Sequence, residues 1–149
     1  MIRTPESIAA EHRELHEVLT KAAQERGDLG RSAQELEKAL APHFKREEEI
    51  ATPPLGLLPA LATGEATTEM RAVLPMTTAL AKELPEMLRE HAIIRAAVQK
   101  FRTAAVASKR PEYIRFSDHL TAHAKQEEEI LYPAAILVGR YLSRTAPAN

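Results

Sequence analysis

Residues 43–50 read HFKREEEI, and residues 123–130 read HAKQEEEI. A histidine, three residues, a run of three glutamates and an isoleucine thus recur 80 positions apart. Self-similarity over such a distance marks a duplicated structural unit. The flanks repeat as well: EHRELHEVL at 11–19 matches EHAIIRAAV at 90–98. The stretch from Glu11 to Ile50 has 40 residues and that from Glu90 to Ile130 has 41, a difference that one turn absorbs. The simplest reading is an internally duplicated helix hairpin, giving an all-α, up-down antiparallel four-helix bundle.

Composition agrees. Alanine, leucine, glutamate, lysine and arginine are abundant while aromatic residues make up only 4%, which favours helices. The 149 residues suffice for one domain with a real core. A net charge of -1 gives no reason to expect nucleic acid or an anionic membrane as partner. There is no apolar run long enough to span a bilayer, and the start lacks the apolar stretch of a signal peptide. Cysteine is absent, which excludes disulfides, iron–sulfur clusters and thiolate zinc sites. The expected compartment is the cytosol, and the expected oligomeric state is a monomer or weak dimer.

Helix signals divide the chain. Thr4 as cap and Pro5 at the first helical position open helix one, which ends near Arg26 before the glycines of GDLG, 27–30. Ser32 and Glu35 form a capping-box signal for helix two, which runs to Ile50 across Pro42 and stops at the prolines of 52–54. A Pro/Gly-rich link follows over 52–66, with leucines that suit a lid over one end of the bundle. Helix resumes near Thr67 and is firm over 77–107. The last helix runs from about Pro111 to Leu142, with a disturbance at Pro133. The bundle therefore occupies 1–142, and 143–149 is expected to be a disordered tail.

Apolar residues at 3–4 spacing define one seam per helix. The seams read Ile8, His12, Leu15, Leu19, Ala22, then Ala33, Leu36, Leu40, His43, Glu47, Ile50. The second half reads Leu80, Leu84, Met87, His91, Ile94, Val98, Phe101, Ala105, then Tyr113, Phe116, Leu120, His123, Glu127, Ile130, Ala134, Leu137. Each is apolar except at one level, where His12, His43, Glu47, His91, His123 and Glu127 stand. His12 lies about 15 residues before the first turn and His43 about 13 after it, so at ~1.5 Å per residue their depths match. His91 and His123 stand in the same relation to the second turn.

A lone core histidine is ordinarily just a hydrogen-bonded core residue. Six such groups on four seams at one level are different. Two buried carboxylates without cations cost several kcal/mol each, roughly, and no Lys or Arg lies on these seams. Imidazoles and carboxylates are good donors for divalent metals, and a carboxylate-bridged pair of ions ~3.5–4 Å apart fills such a layer naturally. His16 and His119, one turn from His12 and His123, are candidate extra ligands. Glu48, Glu49, Glu128 and Glu129 are read as facing water or the shell behind the ligands.

The pattern H…HxxxE…H…HxxxE over 12–127 resembles the hemerythrin-like family of HHE cation-binding domains. The resemblance implies a four-helix bundle holding a non-haem di-iron centre with oxo or hydroxo and carboxylate bridges. It makes His12, His43, His91 and His123 terminal ligands and Glu47 and Glu127 bridges; zinc or manganese are the alternative metals. The oxygen carriers of this family have a further histidine where this chain has Arg95, so the nearer likeness is to bacterial domains with four histidines and two glutamates. It implies binding or sensing of O2, NO or iron. The alternatives are a di-iron oxidase, a peroxidase or an NO-handling enzyme in which Tyr132, Glu48 and Glu128 manage protons or electrons, or an iron storage or repair protein. Some relatives repair iron–sulfur centres with a cysteine-containing N-terminal segment that is not found here.

Overall fold

The computed structural model describes residues 2–145, and among these the chain is helical with no strand. The helices are α1 (Glu6–Ala22), α2 (Gly27–Ile50), α3 (Leu58–Ala62), α4 (Leu74–Ala107), α5 (Pro111–Gln126) and α6 (Tyr132–Arg144). A π-helical turn, Glu127–Leu131, joins α5 to α6, and 3₁₀ turns over Pro53–Leu57 and Glu69–Val73 flank α3. α1 packs on α2 and α5, α2 on α4, and α4 on α5 and α6, which closes an all-α bundle around one axis. No helix among the described residues is long and apolar enough to cross a membrane.

The first turn is tighter than its glycines suggest. α1 stops at Ala22 and α2 starts at Gly27, five residues before the expected Ser32 cap. Gly27 takes φ +70°, a left-handed conformation that glycine adopts without strain. At Gly30 a Cβ would lie 1.8 Å from the Glu25 carbonyl oxygen, so only glycine allows the first turn of α2 to fold back on α1. Ser32 is therefore inside the helix, where its hydroxyl donates to the Leu29 carbonyl at 3.0 Å. Nor does Thr4 cap α1: its hydroxyl pairs with that of Thr52 at 2.8 Å, and Pro5 precedes the helix, its carbonyl accepting from Ile8 and Ala9.

Pro42 sits inside one continuous α2. The link after α2 covers the end of the bundle. Leu55 packs with Ile50, Leu80, Met87 and Tyr132, and Leu57 with Val73, Val138 and Leu142. α6 runs through Arg144, two residues past the expected end, Thr145 follows it in extended conformation, and 146–149 of the expected tail lie outside the described residues.

The seam of the last helix changes register. Up to Glu127 it follows the expected 3–4 spacing, with Tyr113, Phe116, Leu120 and His123 all buried. Beyond it, Ile130 and Leu137 are 56% and 60% exposed, while Tyr132, Ala135, Val138 and Leu142 are buried. The π-turn is the cause. The Tyr132 amide donates to the Glu127 carbonyl five residues back, which inserts an extra residue and rotates the following face. Pro133 favours this, because it lacks an amide proton and its ring crowds the carbonyl four residues earlier. The first half does the same at the matching place: the Thr52 amide reaches the Glu47 carbonyl at 3.0 Å, and Pro53 follows. There the helix ends; in the second half it continues and carries Tyr132 inward.

Candidate metal centre

The six seam residues meet in one layer. His12, His43, Glu47, His91, His123 and Glu127 are each no more than 4% exposed. The layer cuts the apolar core in two. On one side lie Leu15, Leu40, Phe44, Ile94 and Leu120, and on the other Ile50, Leu80, Met87 and Tyr132.

The histidines form two facing pairs. His43 Nε2 and His91 Nε2 are 2.9 Å apart, and His12 Nε2 and His123 Nε2 are 3.1 Å apart. The glutamates lie between the pairs. Glu47 places Oε1 2.8 Å from His43 Nε2 and Oε2 3.7 Å from His12 Nε2. Glu127 places Oε1 3.5 Å from His91 Nε2 and Oε2 3.4 Å from His123 Nε2. Two donor groups of metal-binding size result: His43, Glu47, His91 and Glu127, and His12, His123 and Glu127.

Carboxylates behind the rings set their orientation. His43 Nδ1 meets Glu90 at 2.6 Å, His91 Nδ1 meets Glu128 at 2.9 Å, and His123 Nδ1 meets Glu11 at 3.0 Å. A carboxylate that accepts the Nδ1 proton leaves Nε2 bare, as a metal ligand requires. Glu11 and Glu90 immediately precede His12 and His91, and each reaches across to the HxxxE histidine of the other half. Sequence reasoning passed over both, although the repeated Glu-His dipeptide carried the signal. Glu128, read as facing water or the outer shell, takes up the His91 ring and is held in turn by Arg95 at 2.9 Å. His12 has no such carboxylate among the described residues; its ring stacks on Phe44 with centroids 4.3 Å apart.

The two further histidines stand outside the groups. His119 is 46% exposed and its Nε2 meets Glu11 at 3.0 Å. His16 is exposed and borders a surface cleft of about 270 Å³, which His12, Phe44, Lys45 and Glu48 also line.

The donor set fits a cation. Glu47 Oε2 is buried and has no hydrogen-bond partner among the described residues. Leaving a buried carboxylate oxygen unsatisfied is costly. In each histidine pair, only one Nε2 can donate to the other, whereas a cation between them satisfies both lone pairs. Tyr132, which the sequence offered as a proton or electron handler, stands among the donors. Its hydroxyl donates to Glu47 Oε1 and lies 3.2 Å from both His43 Nε2 and His91 Nε2. Burial and the neighbouring Glu47 and Glu127 carboxylates push its pKa above the usual 10.

Protons hold the layer together in the metal-free chain. Burial alone would lower the imidazoles, but hydrogen bonds to Glu127, Glu47 and Glu128 raise His91 from 6.5 to about 10. Against the same penalty, Glu127 and Glu11 raise His123 from 6.5 to about 9. Burial raises the Glu127 carboxyl, yet His12, His123 and His91 hold it well below the usual 4.5. A raised histidine contributes stability that is complete below its unfolded value and is lost as pH climbs through its folded value. The lowered glutamate contributes above its unfolded value and loses this as pH falls. The melting temperature of metal-free protein should thus peak between about pH 4.5 and 6.5 and decline between pH 7 and 10. Thermal melts in chelator would check this, and a flat profile from 7 to 10 would show that the rings carry no extra proton. Metal must displace these protons, so apparent metal affinity should rise over the same range.

A helical bundle with buried, carboxylate-oriented imidazoles sharing two glutamates defines a class: cation-binding helical proteins whose site is built into the core. Residues 4–135 match the family model of the hemerythrin HHE cation-binding domain, and the chain belongs to that family. No curated protein and no solved structure matches the chain.

Proposed function

We propose that this protein holds two iron ions and uses them to bind or sense O2 or NO reversibly. His43 and His91 would hold one ion and His12 and His123 the other, with Glu47 and Glu127 available to both. The observation that carries this reading is the pairing of facing Nε2 atoms at 2.9 and 3.1 Å with a glutamate oxygen turned toward each pair. Two pairs sharing two carboxylates suit a dinuclear centre better than a single ion. Iron is chosen over zinc or manganese on the family likeness, and the O2 or NO reading rests on the same likeness.

The chain's own residues do the rest. Glu11, Glu90 and Glu128 hold the rings in the ligating tautomer. Leu15, Leu40, Ile94 and Leu120 keep one side of the layer dry, which suits an uncharged diatomic. A route in from solvent is the cleft beside His12, since His12 belongs both to the layer and to the cleft wall. When bound, the metals supply Lewis acidity and one-electron redox chemistry. A second reading, an oxidase, peroxidase or NO-handling enzyme, draws on Tyr132, whose hydroxyl stands among the donors.

The test is metal analysis with optical spectra of anaerobically purified protein, before and after O2 and NO. The expected result is two irons per chain and an oxo-bridged diferric absorption that returns to the starting spectrum on ligand removal. One zinc per chain, or no metal, overturns the proposal. Steady turnover of peroxide by the diferric form would transfer support to the enzyme reading.

A further inference from the structure

Tyr132 is the one tyrosine that touches the cluster. Tyr113 turns its hydroxyl to Glu25 at 3.2 Å, and Tyr141 is 45% exposed. Tyr132 is 1% exposed and is carried inward by the π-turn that follows Glu127. Without that turn its side chain would lie off the seam. Such turns inside α-helices are frequent at functional sites.

The distances around its oxygen have a pattern. With bonds of about 2.1 Å to imidazole and carboxylate, adjacent ligands of an octahedral ion stand about 3 Å apart and opposite ones about 4 Å. His43 Nε2 is 2.9 Å from His91 Nε2 and 2.8 Å from Glu47 Oε1. His91 Nε2 and Glu47 Oε1 are 3.9 Å apart, as opposite ligands would be. Tyr132 Oη is 3.2 Å from both nitrogens and also contacts Glu47 Oε1. In the metal-free chain these contacts are hydrogen bonds; the same spacing puts the hydroxyl oxygen, both imidazole nitrogens and Glu47 Oε1 within reach of one ion.

We propose that Tyr132 Oη is a ligand of the metal held by His43 and His91. The inference rests on the proposed two-metal centre and deepens it. As the metal enters, the hydroxyl proton is released to solvent and the phenolate oxygen takes its place in the coordination shell. The His43–His91 metal then has one more protein ligand than the His12–His123 metal, so the two ions are inequivalent.

A ferric ion bound by tyrosinate has a phenolate-to-metal charge-transfer band in the visible, and exciting that band enhances the tyrosinate ring vibrations in the resonance Raman spectrum. The experiment is to record both spectra, with iron content, on the diferric wild type and on Tyr132→Phe. The wild type should show the band and the ring modes, and Y132F should keep iron while losing both. Growth on ring-deuterated tyrosine should shift the same modes in the unsubstituted protein, so the result does not depend on the variant folding. Wild type with two irons and no tyrosinate modes overturns this inference and leaves the proposed centre standing. Wild type that takes up no iron overturns both.

Discussion

Glu127→Ala should strip the protein of nearly all its metal. Glu127 is the carboxylate common to both donor groups, with one oxygen toward His91 and the other toward His123. Its removal takes a ligand from each position and leaves three histidines without their shared anion. The metal-free protein should suffer too. Breaking a buried ion pair by removing one partner costs about 3–5 kcal/mol, and the freed rings can shed protons, which caps the loss. His43→Ala offers a contrast, since His43 belongs to one group only. It should empty the His43–His91 position first and leave up to half of the metal. Metal analysis of both variants, alongside circular dichroism to establish that they fold, checks this. Full metal content in both would sink the ligand assignment.

The second large effect is expected one shell further out. Glu90→Ala and Glu11→Ala should each weaken metal binding by about 10–100-fold while the helices persist. The reason is the tautomer. Glu90 holds the His43 ring at 2.6 Å and Glu11 holds the His123 ring at 3.0 Å, each from a helix of the opposite half. Without the acceptor, the Nδ1 proton has no fixed partner, and the ring loses both its orientation and its bare Nε2. Competition with a chelator of known affinity measures the loss. Glu86→Ala, which removes an exposed partner of Arg89, is the control and should change nothing. Equal affinities across all three variants would show that the rings are oriented by packing alone.

Both predictions follow from the duplication. Each half contributes a Glu-His dipeptide and an HxxxE pair, and the two halves exchange support: Glu11 serves His123, and Glu90 serves His43. The halves diverge around the remaining two rings. Glu128, steadied by Arg95, backs His91, whereas His12 rests on Phe44 and borders a cleft. The matching position to Arg95 is His16, which is exposed. The symmetry of the repeat is thus broken on the side where His12 borders the cleft.

Much of this was legible in residue order. Helical seams are periodic, so histidines and glutamates that interrupt an apolar seam announce themselves, and helix length alone puts them at a common height. The six residues so picked out are buried together in one layer, and residues 4–135 match the hemerythrin HHE family. It placed the α2 start too late at Ser32, because a capping signature is local while the turn depends on Gly30 lying against the Glu25 carbonyl. It also carried the last seam straight on to Ile130 and Leu137, because a fixed period cannot anticipate an inserted residue.

What the sequence by itself determined is therefore the bundle, its duplication and the polar layer: these need only period, spacing and the high cost of burying unpaired charge. Three features were decided by tertiary structure alone. The pairing of His43 with His91 and of His12 with His123 depends on which helices face each other. The carboxylates behind the rings act across helix boundaries, where no sequence spacing applies. Tyr132 enters the centre because Pro133 and the π-turn rotate the helix by one residue, a backbone choice that becomes visible only when the chain is seen packed.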